Sequence, residues 1–238
     1  MQINQSLCVA CGICINRCTV DAIKKDGKSV YINLDECVEC GVCKRWQICP
    51  KNAFEQQELK YPRIIRSIMS DVLTVCEEAQ ISGRGTEEMK TNEVTGRFQD
   101  GFIGLALELG RPGVATRIYD VERMAMAIAR EDVTFEPCNP VTTMMADQKA
   151  GRFKEELLNE RVLSAIIEFI IPIEKAEAVL NRIIDASKDI HSVFSLCIVS
   201  KVAADGTIPH VKIAEKMGLW ISPNGKNNVG LGRPLYKG

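Results

Sequence analysis

The chain has 238 residues, 46% of them hydrophobic, with 30 Lys plus Arg set against 31 Asp plus Glu. That length and apolar content suffice for one large buried core or two small ones, and the even charge excludes a polyanion-binding surface as the dominant feature. No apolar run is long enough to cross a bilayer; the longest, "AIIEFIIPI", is interrupted by Glu168 and ends around Pro172. The first residues lack the basic-then-apolar order of a secretion signal. The expectation is a cytoplasmic protein that binds neither membrane nor nucleic acid. In a reducing setting, clustered cysteines are expected to bind metal rather than pair with one another.

Eight of the 11 cysteines precede Pro50. Cys8, Cys11 and Cys14 stand at two-residue gaps and Cys18 follows after three more residues. Cys37, Cys40 and Cys43 repeat the spacing, but five residues, "KRWQI", separate Cys43 from Cys49. Three thiols at such gaps wrap one compact loop around one face of a cuboidal iron–sulfide cluster, and Gly12 and Gly41 stand where that loop turns tightly. Zinc sites instead pair two short cysteine motifs, and disulfides need an oxidising compartment. The spacer "DGKSVYINLD" reads as a turn at Asp26-Gly27 followed by an alternating strand.

These runs, with "CTVDAI" and "CPKNAF" following them, resemble the two-cluster bacterial ferredoxins over about residues 5–56. The resemblance implies two [4Fe–4S] clusters, a short hairpin in the spacer, and crossed ligation. Cys8, Cys11, Cys14 and Cys49 would hold cluster one; Cys18, Cys37, Cys40 and Cys43 would hold cluster two. The sequence departs from the family at Thr19, where a proline is usual, and in the longer Cys43-to-Cys49 loop. That loop predicts a difference at the Cys49-ligated cluster, with Trp46 as a packing cap. Residues 1–60 carry eight Lys or Arg and seven Asp or Glu. Freely diffusing ferredoxins are strongly acidic, so a near-neutral module points to a docked subunit.

Residues 61–100 read as a helical and loop connector. "YPRIIRSIMSDVLTVCEEA" puts Ile65, Ile68, Val72, Val75 and Ala79 on one helical face. In "SGRGTEEMKTNEVTGRF", Thr86 is a candidate helix cap, and Arg84 and Arg97 are candidate anion ligands, against the plainer reading of a surface loop. From residue 101 to 205 the pattern alternates between periods of 2 and 3.6. "FIGLALEL" is a strand with Ile103, Leu105, Leu107 and Leu109 on one face. A helical stripe runs through Val114, Ile118, Val121, Ala125 and Ile128. "DVTFEP" and "VLSAIIEFII" are strands, a helix from Pro172 turns Ala176, Val179, Leu180, Ile183 and Ile184 inward, and "SVFSLCIVSKV" is the last strand. The expected fold is α+β, a ferredoxin-like (βαββαβ) sandwich following the cysteine-rich module.

"LELGRPGVATRI" resembles the strand, loop and helix start of ACT domains, which implies a small-molecule loop at Arg111 and Gly113. The sheet's other face, with Glu108, Glu136, Glu168 and Lys201 among Phe102, Val162, Ile166 and Ile170, suits homodimerisation or a partner unless the 138–160 insertion covers it. Residues 206–238 form an extension that could lie across a partner, with Arg233 in "GRPL" echoing Arg111 in "GRPG". Cys76, Cys138 and Cys197 stand singly, Cys138 between prolines as the candidate for exposure, and the others as small buried hydrophobes. His191 and His210 have no companion base or nucleophile at readable spacing. Three functions fit: an iron–sulfur electron-transfer subunit docked on the catalytic subunit of an anaerobic oxidoreductase or another redox protein; a redox-linked sensor using the ACT-like loop; or an enzyme whose pocket is formed by the 81–98 loop and Arg111.

Overall fold

The computed structural model describes residues 1–82, 101–111 and 113–223. Arg84, Arg97 and Arg233, with the loop and tail that carry them, lie outside the described residues.

The N-terminal segment closes on itself. β1 (Gln2–Ile3) pairs antiparallel with β4 (Phe54–Glu55), so the ends of the segment meet. Between them, β2 (Ile23–Asp26) and β3 (Ser29–Ile32) form the hairpin, turning at Gly27 with φ +54°. Met1, Ile23, Val30 and Phe54 make a small core of their own, against which six of the cysteines pack.

A helix over Ile64–Ser70 leads into the second unit, where Met69 is buried in the large core and Ile65 and Ile68 pack against it. It stops well short of the helical face expected through Ala79. Asp71 adopts an extended conformation, and its carboxylate accepts from the Leu73 amide at 3.0 Å, a local turn that competes with helix. Val72 is therefore exposed and Val75 lies in a two-residue strand, β5 (Val75–Cys76), paired with β6 (Ile81–Ser82).

The second unit is built on a four-stranded antiparallel sheet. Its strands are β7 (Phe102–Leu109), β9 (Thr134–Phe135), β13 (Ala165–Pro172) and β14 (Phe194–Val199), in the spatial order β14-β7-β13-β9. β13 and β7 run in register from Ala165↔Leu109 to Pro172↔Phe102. Alternation sends Ile103, Leu105, Leu107 and Leu109 to the same face as Ala165, Ile167, Phe169 and Ile171. Helices Ile118–Ala129 and Ala176–Ala186 complete that core through Ile118, Val121, Met124 and Ile128, and through Val179, Leu180 and Ile183.

Three boundaries differ from the periodic reading. Val114 is exposed in a turn, because the helix begins only at Ile118. Ile184 is exposed on the helix flank. Arg161 and Val162 leave the main sheet to form β12, paired with β8 (Thr116–Arg117), so β13 begins at Ala165.

The opposite face of the sheet is partly covered. The 138–160 insertion contains the short strands β10 (Met145–Asp147) and β11 (Arg152–Phe153) and a helical turn, Pro140–Thr143, capped by Asn139. Asn139 is fully buried, and its Nδ2 donates to Glu168 Oε2 at 2.6 Å and to the Ile166 carbonyl at 3.1 Å. Cys197, on β14, points away from the helices and is exposed, whereas Cys76 is buried; Cys138 is exposed. Among the described residues, no helix is long and apolar enough to cross a membrane.

Candidate metal centre

The two cysteine runs fold as near copies. In each, the first cysteine's amide bonds the carbonyl of an asparagine four residues earlier: Cys8 to Asn4 at 3.1 Å and Cys37 to Asn33 at 3.0 Å. Both asparagine side chains also accept the amide two residues on, at 3.0 Å in each case. The residues before the middle cysteines, Ala10 and Glu39, are left-handed, and so are Gly12 and Gly41 after them. At the far end, the Ala22 amide donates to Cys18 Sγ at 3.1 Å and the Ala53 amide to Cys49 Sγ at 3.4 Å. The copies diverge where the lengths do. A 3-10 turn at Ile15–Arg17 becomes an α-helical turn at Val42–Arg45, and the extra residues leave Trp46 77% exposed. Trp46 is thus not the packing cap that its position suggested.

The eight thiols are unpaired and divide into two sets. Cys8, Cys11, Cys14 and Cys49 line one pocket; Cys18, Cys37, Cys40 and Cys43 line another. Among the described residues, no three His, Cys, Asp or Glu side chains converge closely enough to hold a single ion. The thiols instead ring two voids, an arrangement that fits a metal–sulfide cluster better than zinc. The walls of the first void are apolar, including Ile3, Val30 and Phe54. Burial pushes the Cys43 thiol up to about 12, and the charges that raise it further are those of Cys40, Cys37 and Cys18. Burial likewise raises Cys14, with Cys11, Cys49 and Cys8 adding to it. In each case the repelling neighbours are the other three thiols of the same set. Four thiolates at such a site need a cationic centre to neutralise them, which is what iron supplies.

The loop carrying Cys37 is gripped by arginines that sequence reasoning missed. Arg66 is 4% exposed. Its Nη1 donates to the carbonyls of Leu34 at 3.0 Å, Asp35 at 2.8 Å and Cys37 at 2.8 Å, while its Nε bonds Glu160 of the second unit. Arg63 pairs with Glu39 at 2.6 Å. Glu39 is buried, which opposes its charge, but bonds from the Met1 amino group and Arg63 outweigh burial and hold its carboxyl below the usual range. From the second unit, Arg117 reaches Asp35 at 2.6 Å and Arg161 reaches Glu36 at 2.7 Å. Arg117 and Arg161 stand opposite each other in the β8–β12 pair, a like-charge arrangement that costs stability unless an anion intervenes. The Asp35-Glu36 dipeptide is that anion. The signal was present in the spacing of Arg63 and Arg66, but its acidic counterpart lay in another segment.

The remaining sequence candidates are simply placed. Arg111 pairs with Glu108 at 2.8 Å, and Gly113 is left-handed in the turn beyond it. Arg45, from the longer loop, donates through Nη2 to the Cys40 carbonyl at 2.6 Å and pairs through Nη1 with Asp71 at 2.7 Å. The insertion expected to alter the Cys49 site therefore also touches a thiol-bearing residue of the other set.

A β1–β4 closure, a hairpin and two four-thiol pockets define the N-terminal segment as a bacterial-type ferredoxin module. A family model for the 4Fe-4S binding domain matches residues 1–24. A ferredoxin of Saccharopolyspora erythraea is 42% identical over 45 residues, 19% of this chain and 41% of that protein. A ferredoxin of Streptomyces griseus is 48% identical over 40 residues, 17% of this chain and 36% of that protein. One from Alicyclobacillus acidocaldarius subsp. acidocaldarius is 40% identical over 45 residues, 19% of this chain and 55% of that protein. The chain thus spans about two fifths of the length of the first curated relatives it matches. No solved structure is significantly similar.

Proposed function

We propose that this chain is a two-[4Fe–4S] electron-transfer subunit that relays single electrons to or from the catalytic subunit of an oxidoreductase. Cys8, Cys11, Cys14 and Cys49 would hold one cluster, and Cys18, Cys37, Cys40 and Cys43 the other. The observation that carries this reading is the division of eight thiols into two pockets, each drawing three from one run and one from the other. When bound, such clusters take up and release one electron each. The chain's own contribution is an apolar wall that limits water and amide donors aimed at Cys18 and Cys49 that stabilise thiolate charge.

Docking, rather than shuttling, is supported by the fate of the module's acidic residues. Asp35, Glu36 and Glu39 are held by arginines of the helix or of the second unit, so they are committed inside the protein instead of steering a diffusing partner. The second unit, with its β14-β7-β13-β9 sheet and two helices on one face, is read as a ferredoxin-like sandwich that anchors the module.

Iron and sulfide analysis of anaerobically purified protein tests the cofactor assignment, with about eight irons expected per chain. Cys18→Ala is expected to remove the cluster of the 37–43 run and leave the other, giving about half the iron and one EPR signal. Loss of the first-run cluster instead would contradict the crossed assignment. Purification from the native source tests docking: a catalytic subunit should co-elute, and a chain that elutes alone would argue against it.

A further inference from the structure

We propose that the cluster held by Cys18, Cys37, Cys40 and Cys43 has the higher reduction potential of the two, because Arg66 and Arg45 hold fixed cations against its ligands. The inference rests on the reading that each set of four thiols binds a [4Fe–4S] cluster. Reduction adds one negative charge to a cluster, so a cation held nearby stabilises the reduced form and raises the potential.

The two sites differ in the cations that bond their ligand residues. Arg66 donates to the Cys37 carbonyl at 2.8 Å, and its side chain is 5% exposed, so water screens it little. Arg45 donates to the Cys40 carbonyl at 2.6 Å. Two of the four ligands of this set therefore carry a guanidinium on their main chain. In the first run, among the described residues, two lysines stand near: Lys25 bonds the Ala10 carbonyl at 3.0 Å and Lys51 lines the pocket, but neither bonds a ligand residue as Arg66 and Arg45 do. No arginine donates to the main chain of Cys8, Cys11, Cys14 or Cys49 among the described residues.

Carboxylates do not cancel this difference. Glu160 meets Arg66 through Nε, on the opposite side of the guanidinium from the Cys37 loop, and Asp71 meets Arg45 through Nη1 while Nη2 holds Cys40. In both pairs the cation bonds the ligand residue directly. Glu39, which adjoins Cys40, is already matched by Arg63 at 2.6 Å and the Met1 amino group at 2.7 Å. Solvent acts in the opposite sense, since Cys11 is exposed and water there also stabilises added charge. The guanidiniums prevail because they are fixed at contact distance and need no reorganisation when the electron arrives.

The first electron taken up would rest on the cluster whose Cys37 loop is gripped by Arg117 and Arg161 of the second unit.

An anaerobic, EPR-monitored redox titration of the full chain, reduced stepwise with dithionite, tests this. Two waves are expected. In Arg66→Gln and in Arg45→Gln the upper wave should move to lower potential while the lower wave stays, and Arg66→Lys, which keeps the charge, should restore most of the shift. A single unresolved wild-type wave, an upper wave that does not move, or movement of the lower wave would overturn the proposal. Arg45 lies on the surface, so Arg45→Gln makes the same distinction if Arg66→Gln does not fold. Iron and sulfide far below about eight per chain would instead reject the cluster reading beneath it.

Discussion

The guanidinium of Arg66 donates to the main-chain oxygen of Cys37 at 2.8 Å while its Nε holds Glu160 of the second unit. One buried side chain thus joins the metal-binding loop to a domain that carries none of the eight thiols. Truncating either partner leaves a buried charge uncompensated, which costs about 3–5 kcal/mol. Glu160→Ala should therefore lower the melting temperature markedly. The double variant Arg66→Met with Glu160→Met should cost less than the sum of the single ones, which a double-mutant cycle by chemical denaturation will check.

The two loop glycines should differ in their tolerance of a methyl group. Both are left-handed, but a Cβ on Gly12 would meet nothing nearer than Ile15 Cδ1 at 3.6 Å, whereas on Gly41 it would lie 2.5 Å from Arg45 Nη1 and 3.0 Å from Asp71 Oδ2. Gly12→Ala should cost about 1 kcal/mol of backbone strain. Gly41→Ala carries a similar strain and also displaces the Arg45–Asp71 pair, so it should cost about 2–3 kcal/mol. Iron retention on mild heating of the two variants compares them directly.

Asn139 serves two partners from a fully buried position. It caps the Pro140–Thr143 turn by accepting from the Val141 amide at 2.7 Å, and it donates to Glu168 at 2.6 Å. Asn139→Ala removes both and should destabilise the second unit by about 3 kcal/mol. Asn139→Asp keeps the capping oxygen but sets a second carboxylate against Glu168, so it too should unfold at lower denaturant concentration. Near-wild-type midpoints for both would show that the insertion does not secure that face.

His210 gives the helix Pro209–Lys216 a dependence on pH. Its Nδ1 lies 2.7 Å from Ser200 Oγ, and burial lowers its pKa below the ordinary histidine value of 6.5. A depressed histidine pKa means that the unfolded segment binds more protons than the folded one, so stability rises with pH across that window. The contribution is complete above about pH 6.5 and is lost as the pH falls toward the folded pKa. Protection factors of the amides of residues 209–216, taken relative to the intrinsic exchange rate at each pH, should therefore fall between about pH 7.5 and 5.5, and His210→Gln should flatten that response.

The cysteine runs were legible because ligand spacing is local: loop, hairpin and left-handed glycines follow from residues that adjoin in sequence. The strand Phe102–Leu109 was legible for a similar reason, its alternation being uninterrupted. The errors arose where a short-range bond overrode periodicity. Asp71 accepts from Leu73 and ends a helix whose apolar spacing continues past it, and β12 leaves the strand register to pair with β8. The arginine grip on residues 34–39 was illegible for a different reason. Arg117 and Arg161 are ordinary surface charges in sequence, and only the tertiary fold brings them to Asp35 and Glu36. For the same reason the sequence places Glu168 on that face and an insertion near it, without naming Asn139 as its partner.

The pairing of β1 with β4 has a consequence for biosynthesis. Gln2 meets Glu55, Ile3 meets Phe54, and the pockets between them each need thiols from both halves of the segment. A nascent chain that has emerged only through Cys18 presents three thiols of one set and one of the other, with neither pocket closed. The pocket of Cys18, Cys37, Cys40 and Cys43 has all its thiols once Cys43 has emerged, whereas that of Cys8, Cys11, Cys14 and Cys49 waits for the late stretch Cys49 to Phe54. Metal delivered between those two points meets one complete set of thiols and one that is still open, so the two centres mature in an order opposite to that of their runs in the sequence.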